Sequence, residues 1–88
     1  MTQPPVTMYV SDWCPYCQRA KSLLSKKHVV FSEINIEDDA AMREEMMARS
    51  NRSTVPQIFI GDKHVGGCDD LFALDQSGEL DRLIQGAG

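Results

Sequence analysis

Apolar residues fall along this chain in short runs and helical stripes, separated by polar and glycine- or proline-containing stretches. After Pro4-Pro5, the run from Val6 to Val10 predicts a buried strand, and Ser11, Asp12 and Trp13 read as the loop that follows. A helix then opens with Cys14 as its cap, because Pro15 suits a first helical position. Cys17, Ala20, Leu23 and Leu24 form its apolar stripe, and Lys26-Lys27 suit its C-terminal end, near His28. The segment Val29 to Ile36 predicts a second strand with Val30, Ile34 and Ile36 facing inward. Asp38 and Asp39 open a second helix, with Met42, Met46 and Met47 as its buried face. Glu44, Glu45 and the arginines Arg43 and Arg49 make its solvent side. A polar loop from Ser50 to Thr54 leads to Val55-Pro56. Gln57 to Ile60, the turn Gly61-Asp62, and Lys63 to Val65 then predict a β-hairpin carrying His64. Gly66-Gly67 breaks the chain before a helix that starts at Asp69-Asp70 and runs through Leu71, Phe72 and Leu74. Ser77-Gly78 interrupts it, and a last short helix carries Leu80, Leu83 and Ile84.

The order β-α-β-α-β-β-α predicts an α/β domain, with parallel strands first and a hairpin last. The length of 88 residues allows one domain, 1–88, with 1–5 and 86–88 as loose termini. Hydrophobic residues at 42% and charged residues at 25% are ordinary for a soluble globular protein. A formal charge of −4 argues against nucleic-acid binding, which needs a basic face. No basic stretch leads into an apolar run at the start, and none reaches membrane-spanning length, so the expected setting is cytoplasmic, with no membrane partner.

Three cysteines, two of them spaced Cys-x-x-Cys, fit that setting as a redox or metal-ligand pair better than as a disulfide framework. If Pro15 is the first helical residue, the Cys14 sulfur faces the free amides of Tyr16 and Cys17 and the positive end of the helix dipole. Both favour the thiolate, which is the nucleophilic form. Cys17 lies one turn on, toward the core, with Cβ atoms of such a pair roughly 5–6 Å apart, compatible with a disulfide. The pair is then an exposed attacker and a sheltered second thiol. A zinc site needs two further donors, and Cys68, His28 and His64 do not repeat the paired spacing, so no metal is expected.

A strand, Cys14-Pro15-Tyr16-Cys17 opening a helix, Thr54-Val55-Pro56, and Gly66-Gly67-Cys68-Asp69-Asp70, in that order, together resemble the dithiol glutaredoxins, most closely the small bacterial ones. The resemblance spans roughly Thr7 to Ile84. It implies a thioredoxin-like fold, with a central four-stranded mixed sheet flanked by helices. It also implies glutathione as co-substrate, with no permanently bound cofactor. A proline matching Pro56 is cis in that family and faces the cysteines; without the resemblance, Pro56 reads as the start of an edge strand. The resemblance assigns the γ-glutamyl carboxylate of glutathione to amides around Gly67 and Cys68, at a helix N-terminus suited to an anion. Asp69 meets the ammonium group; its plain alternative is a helix cap. Val55 offers its backbone to a strand-like peptide. On the same resemblance Thr54 and Arg52 are expected to help hold the ligand and Tyr16 to flank it, a solvated loop charge being the plain alternative for Arg52.

One departure stands out. Many glutaredoxins carry a lysine where this chain has Ser11, followed by Asp12 and Trp13. Trp13 reads equally as a partner contact or as loop packing, and Cys68 as a structural thiol. The implied activity is reduction of protein disulfides and of glutathione mixed disulfides by a monomer, with ribonucleotide reductase among the candidate partners. Two rivals are an iron–sulfur-binding module, which Pro15 disfavours, and a redoxin served by thioredoxin reductase, which the Gly-Gly-Cys-Asp-Asp segment disfavours.

Overall fold

Strand β1 (Val6–Val10) carries the alternation that organises the domain: Val6, Met8 and Val10 point to one face and Tyr9 to the other. The computed structural model describes residues 4–85, in which β1 is followed by α1 (Pro15–Lys26), β2 (Ser32–Asn35) and α2 (Ala40–Ser50). Then come β3 (Gln57–Ile60), β4 (Lys63–Gly66), α3 (Cys68–Ser77) and α4 (Glu79–Gln85). The sheet order is β2-β1-β3-β4; β1 pairs parallel with β2 across the α1 crossover and antiparallel with β3, and β3 pairs antiparallel with β4.

On one face Val6, Met8, Val10, Ile58 and Ile60 pack against Ala20, Leu23 and Leu24 of α1, Leu71 of α3 and Leu80 of α4. On the other, Tyr9, Phe59 and Ile36 meet Met46 of α2. Because β3 is flanked on both sides, all four of its residues are buried, and Pro56 leads into a central strand rather than an edge. The first-face core includes both Cys14 and Cys17, so the start of α1 is fixed by the same packing that holds the sheet.

Four sequence expectations need correction. The second strand begins at Ser32, not Val29, and Val30 is 78% exposed. His28 turns the chain with a left-handed φ of 59°, and the Val29 N–H donates to Leu24 O, so Val29 tucks under the helix end and Val30 points out. In α2 only Met46 is fully buried; Met42 is partly so, and Met47, one position round, faces outward. Glu45 and Arg49 are not merely solvated. The Tyr9 hydroxyl donates to Glu45 at 2.6 Å and accepts from Arg49 at 2.9 Å, and the Arg49 guanidinium lies 4.1 Å from the Phe59 ring centre. Their long stems fold back over the sheet. Finally, α3 starts at Cys68, one residue earlier than the acidic pair indicated.

Of the termini expected to be loose, residues 1–3 and 86–88 lie outside the described residues. Pro5 is tied down, its carbonyl accepting from the Gly61 N–H at 2.7 Å.

Candidate active site

The N-terminus of α1 forms as the Cys-Pro pair dictates. Cys14 is the N-cap, in extended conformation, and Pro15 the first helical residue. The Cys14 sulfur accepts the Cys17 N–H at 3.0 Å; the Tyr16 amide, also expected there, makes no such bond. Cys14 and Cys17 are joined as a disulfide, with Cα atoms 5.1 Å apart. The expected contrast in exposure is smaller than the sequence indicated. Cys14 is itself 8% exposed, against 1% for Cys17, because the Val55–Pro56 segment closes over it, with the Val55 carbonyl oxygen 4.0 Å from the Cys14 sulfur. The Val55–Pro56 bond is cis.

A cleft opens beside the pair. Tyr16, Arg52, Thr54, Val55, Pro56, Gly67, Cys68 and Asp69 all line it, joined by Asp70, so three separate stretches of sequence converge on one surface. At its far wall Asp70, not Asp69, caps α3: its carboxylate accepts the Gly67 N–H and a hydrogen from Arg52 Nη1, each at 3.0 Å. Those bonds, the backbone one foremost, hold the Asp70 carboxyl below its usual range. Arg52 is thereby anchored rather than a free loop charge, with guanidinium donors to spare. The Gly67 amide is spent on Asp70. The first-turn N–H groups that the helix leaves open are those of Cys68, Asp69 and Asp70, the first intrahelical bond being Leu71 N–H to Gly67 O. Among the described residues the Asp69 side chain makes no hydrogen bond or ion pair, and Asp69 is exposed.

Gly66 permits this wall. It has φ +118°, and a Cβ built on it runs into the Asp70 carboxylate. The Cys68 thiol is buried, and burial together with Asp69 pushes its pKa up, so it stays protonated and behaves as a packing residue.

Two side chains that hold the cleft in shape, Asp70 and Gln57, were not among the site residues named from the sequence. Gln57 is fully buried; its amide nitrogen donates to Thr54 O at 3.0 Å and Thr54 Oγ1 at 3.2 Å. Its oxygen therefore accepts, at 2.7 Å, from His64 Nε2, which must carry the hydrogen. Burial, reinforced by Arg52, lowers the His64 pKa. Gln57 thus pins the loop that carries Thr54, Val55 and Pro56. The available signal was an amide standing next to Ile58-Phe59-Ile60 in a strand, since a buried polar group must find partners.

The Asp70 cap carries a pH prediction. Its folded-state pKa lies below the unfolded value, so its contribution is present above about pH 3.9 and is lost as pH falls through the folded value. With the side chain 46% exposed, screening keeps that contribution under about 1 kcal/mol. Denaturant titrations of the wild type and Asp70→Asn are expected to differ at pH 7 and to converge in strong acid. A constant difference would contradict the cap.

The glutaredoxin family model matches residues 6–65 of the chain. Glutaredoxin 3 of Escherichia coli K12 is 59% identical over 80 residues, covering 91% of this chain and 96% of that protein. The chain belongs to the glutaredoxin family. A solution structure of glutaredoxin from Brucella melitensis superposes with a TM-score of 0.87 at 48% identity, covering 100% of this chain and 96% of that one. A buckwheat glutaredoxin crystallised with glutathione superposes at 0.85 with 27% identity, covering 93% of this chain and 77% of that one. This glutaredoxin has the thioredoxin-like architecture of its relatives and is a glutathione-linked thiol–disulfide oxidoreductase with a cysteine pair at the head of its first helix. No helix among the described residues is long and apolar enough to cross a membrane.

Proposed function

We propose that Cys14 is the nucleophile, that Cys17 resolves its mixed disulfides, and that the adjoining cleft binds glutathione. The observation that carries this reading is the Cys17 N–H on the Cys14 sulfur, 3.0 Å away, at a helix start that opens on the cleft. A donated hydrogen bond and the helix dipole both lower the energy of the thiolate.

With a glutathione mixed disulfide, the Cys14 thiolate attacks the glutathione sulfur. A Cys14–glutathione bond forms as the original S–S bond breaks, and the substrate leaves as a thiolate that takes a proton from water. A second glutathione thiolate attacks the adduct at the glutathione sulfur, giving glutathione disulfide and free Cys14 thiolate. With a protein disulfide, Cys14 bonds to one sulfur while the other leaves. Cys17 then attacks the Cys14 sulfur, releasing the second substrate thiolate and closing Cys14–Cys17. Two glutathiones reduce that bond and leave as glutathione disulfide.

In the cleft, the free Cys68 and Asp69 amides suit the γ-glutamyl carboxylate, and the uncommitted Asp69 carboxylate suits the ammonium. Val55 offers its backbone to the cysteinyl residue; Arg52 and Thr54 border the ligand, Pro56 and Gly67 shape the wall, and Tyr16 flanks it. No resident cofactor or metal enters the reaction. Glutathione as reductant speaks for a cytoplasmic setting. On the family resemblance, disulfide-bonded and glutathionylated proteins are the substrates, ribonucleotide reductase among them.

The test is steady-state turnover of a glutathione mixed disulfide with a small thiol. Asp69→Asn is expected to raise KM about tenfold, the weight of one charge-assisted contact, with a smaller change in kcat. An unchanged KM would remove Asp69 from the binding site.

A further inference from the structure

Trp13 stands next to the nucleophile in the chain and lines a depression other than the proposed glutathione cleft. It is 98% exposed, the most exposed of the large hydrophobic side chains. Loop packing, the plain alternative, is therefore excluded. Its backbone is left-handed, at φ 56°, a conformation a bulky residue rarely adopts, and it presents the indole to solvent one residue before Cys14.

The loop beneath it is held in place. The Asp12 N–H donates to Glu37 Oε1 at 3.1 Å, and Asn35 Nδ2 donates to Asp12 Oδ1 at 2.9 Å. The Glu37 N–H in turn donates to Asn35 Oδ1 at 2.8 Å, which closes a ring of bonds between the loop and the end of β2. Trp13, Asp12 and Asn35 line a depression that also includes Lys21 and Glu33. Lys21 and Glu33 neutralise one another at 2.9 Å. Asp12 and Glu37 have no cationic partner among the described residues, and both are exposed. The loop that carries the indole therefore holds uncompensated negative charge, Asp12 next to Trp13 in the chain and Glu37 bonded to the Asp12 backbone.

We infer that Trp13, with Asp12 and Glu37, is a docking surface for polypeptide substrates that carry arginine or lysine beside their disulfide. Any sulfur that reaches Cys14 brings its flanking residues within reach of the next side chain along. A cationic side chain there gains twice, from the indole face and from the two carboxylates. An acidic flank meets repulsion. The inference rests on the glutathione reading above and deepens it, by naming the leaving half of the mixed disulfide.

The test uses two glutathionylated peptides of one length, one with arginines and one with glutamates flanking the modified cysteine, assayed on the same enzyme at low salt. The ratio of their kcat/KM values is the readout. In the wild type the arginine peptide is expected to be favoured about tenfold or more, and less so as salt rises. Trp13→Ala is expected to lower that ratio several-fold and Trp13→Phe to keep most of it, while Asp12→Asn with Glu37→Gln brings it toward one. Equal rates for the two peptides, or a Trp13→Ala ratio equal to that of the wild type, would overturn the docking surface and leave the glutathione reading standing. Turnover of neither peptide would instead sink the glutathione reading itself. A concentration-dependent dimer abolished by Trp13→Ala would assign the indole to a second copy of the chain and also overturn the inference.

Discussion

Replacing Cys17 with serine is expected to leave turnover of small glutathione mixed disulfides within about threefold of the wild type and to slow reduction of protein disulfides at least about a hundredfold. The first branch needs a single sulfur, and the hydrogen bond that favours its thiolate comes from the Cys17 backbone, which serine retains. The second branch needs an internal attack on the mixed disulfide. Cys17 lies one turn from Cys14, with Cα atoms 5.1 Å apart, so its effective concentration far exceeds that of dissolved glutathione. Cys14→Ser is expected to abolish both branches. Loss of both branches in Cys17→Ser with retention in Cys14→Ser would reverse the two roles.

The second large effect falls on the wall of the cleft rather than on the sulfurs. Gly66→Ala is expected to cost about 1–3 kcal/mol for the backbone conformation alone, because φ is +118°. The new Cβ also displaces the Asp70 carboxylate, and with it the cap on Gly67 and the anchor of Arg52. For a domain of this size, such a loss lowers Tm by about 4–8 °C per kcal/mol. Because the displaced groups form one wall of the cleft, KM for the glutathione mixed disulfide should rise as well. Thermal unfolding and steady-state kinetics on the same preparation test both halves. A variant with wild-type Tm and KM would mean that the wall does not depend on Gly66. Gly61→Ala provides a contrast: it shares a positive φ, but a Cβ there meets nothing within 4 Å.

Much of this was legible in the sequence because local rules and the fold agree. Pro15 marks the start of α1, the alternation around Met8 and Tyr9 marks a strand with two buried faces, and Gly61-Asp62 marks the hairpin. The three motifs also named residues that converge on one cleft, although they lie tens of positions apart. What stayed hidden depends on tertiary neighbours. Val30 looks like a strand residue and is turned outward by the positive φ of His28, which no local pattern announces. Either of two adjacent aspartates is a reasonable cap for α3. Only the positions of Gly67 and Arg52 assign that work to Asp70, leaving Asp69 free for a ligand. Arg49 reads as a solvent-side charge until Phe59 and Tyr9, buried on the neighbouring strands, draw it across the sheet. Trp13 is the clearest case: its indole is apolar enough to pack, and only its exposure tells that it does not.

The central claim is that one peptide N–H at a helix start holds the Cys14 sulfur as an anion once the pair is reduced. The most direct measurement is the rate of alkylation of the reduced protein as a function of pH, with the modified residue assigned by mass spectrometry. Cys14 is expected to react as a thiolate at lower pH than a cysteine in a short free peptide, and well ahead of Cys68, whose burial acts in the opposite direction. A Cys14 that reacts with a midpoint near about 8.5, as a free cysteine does, would contradict the account.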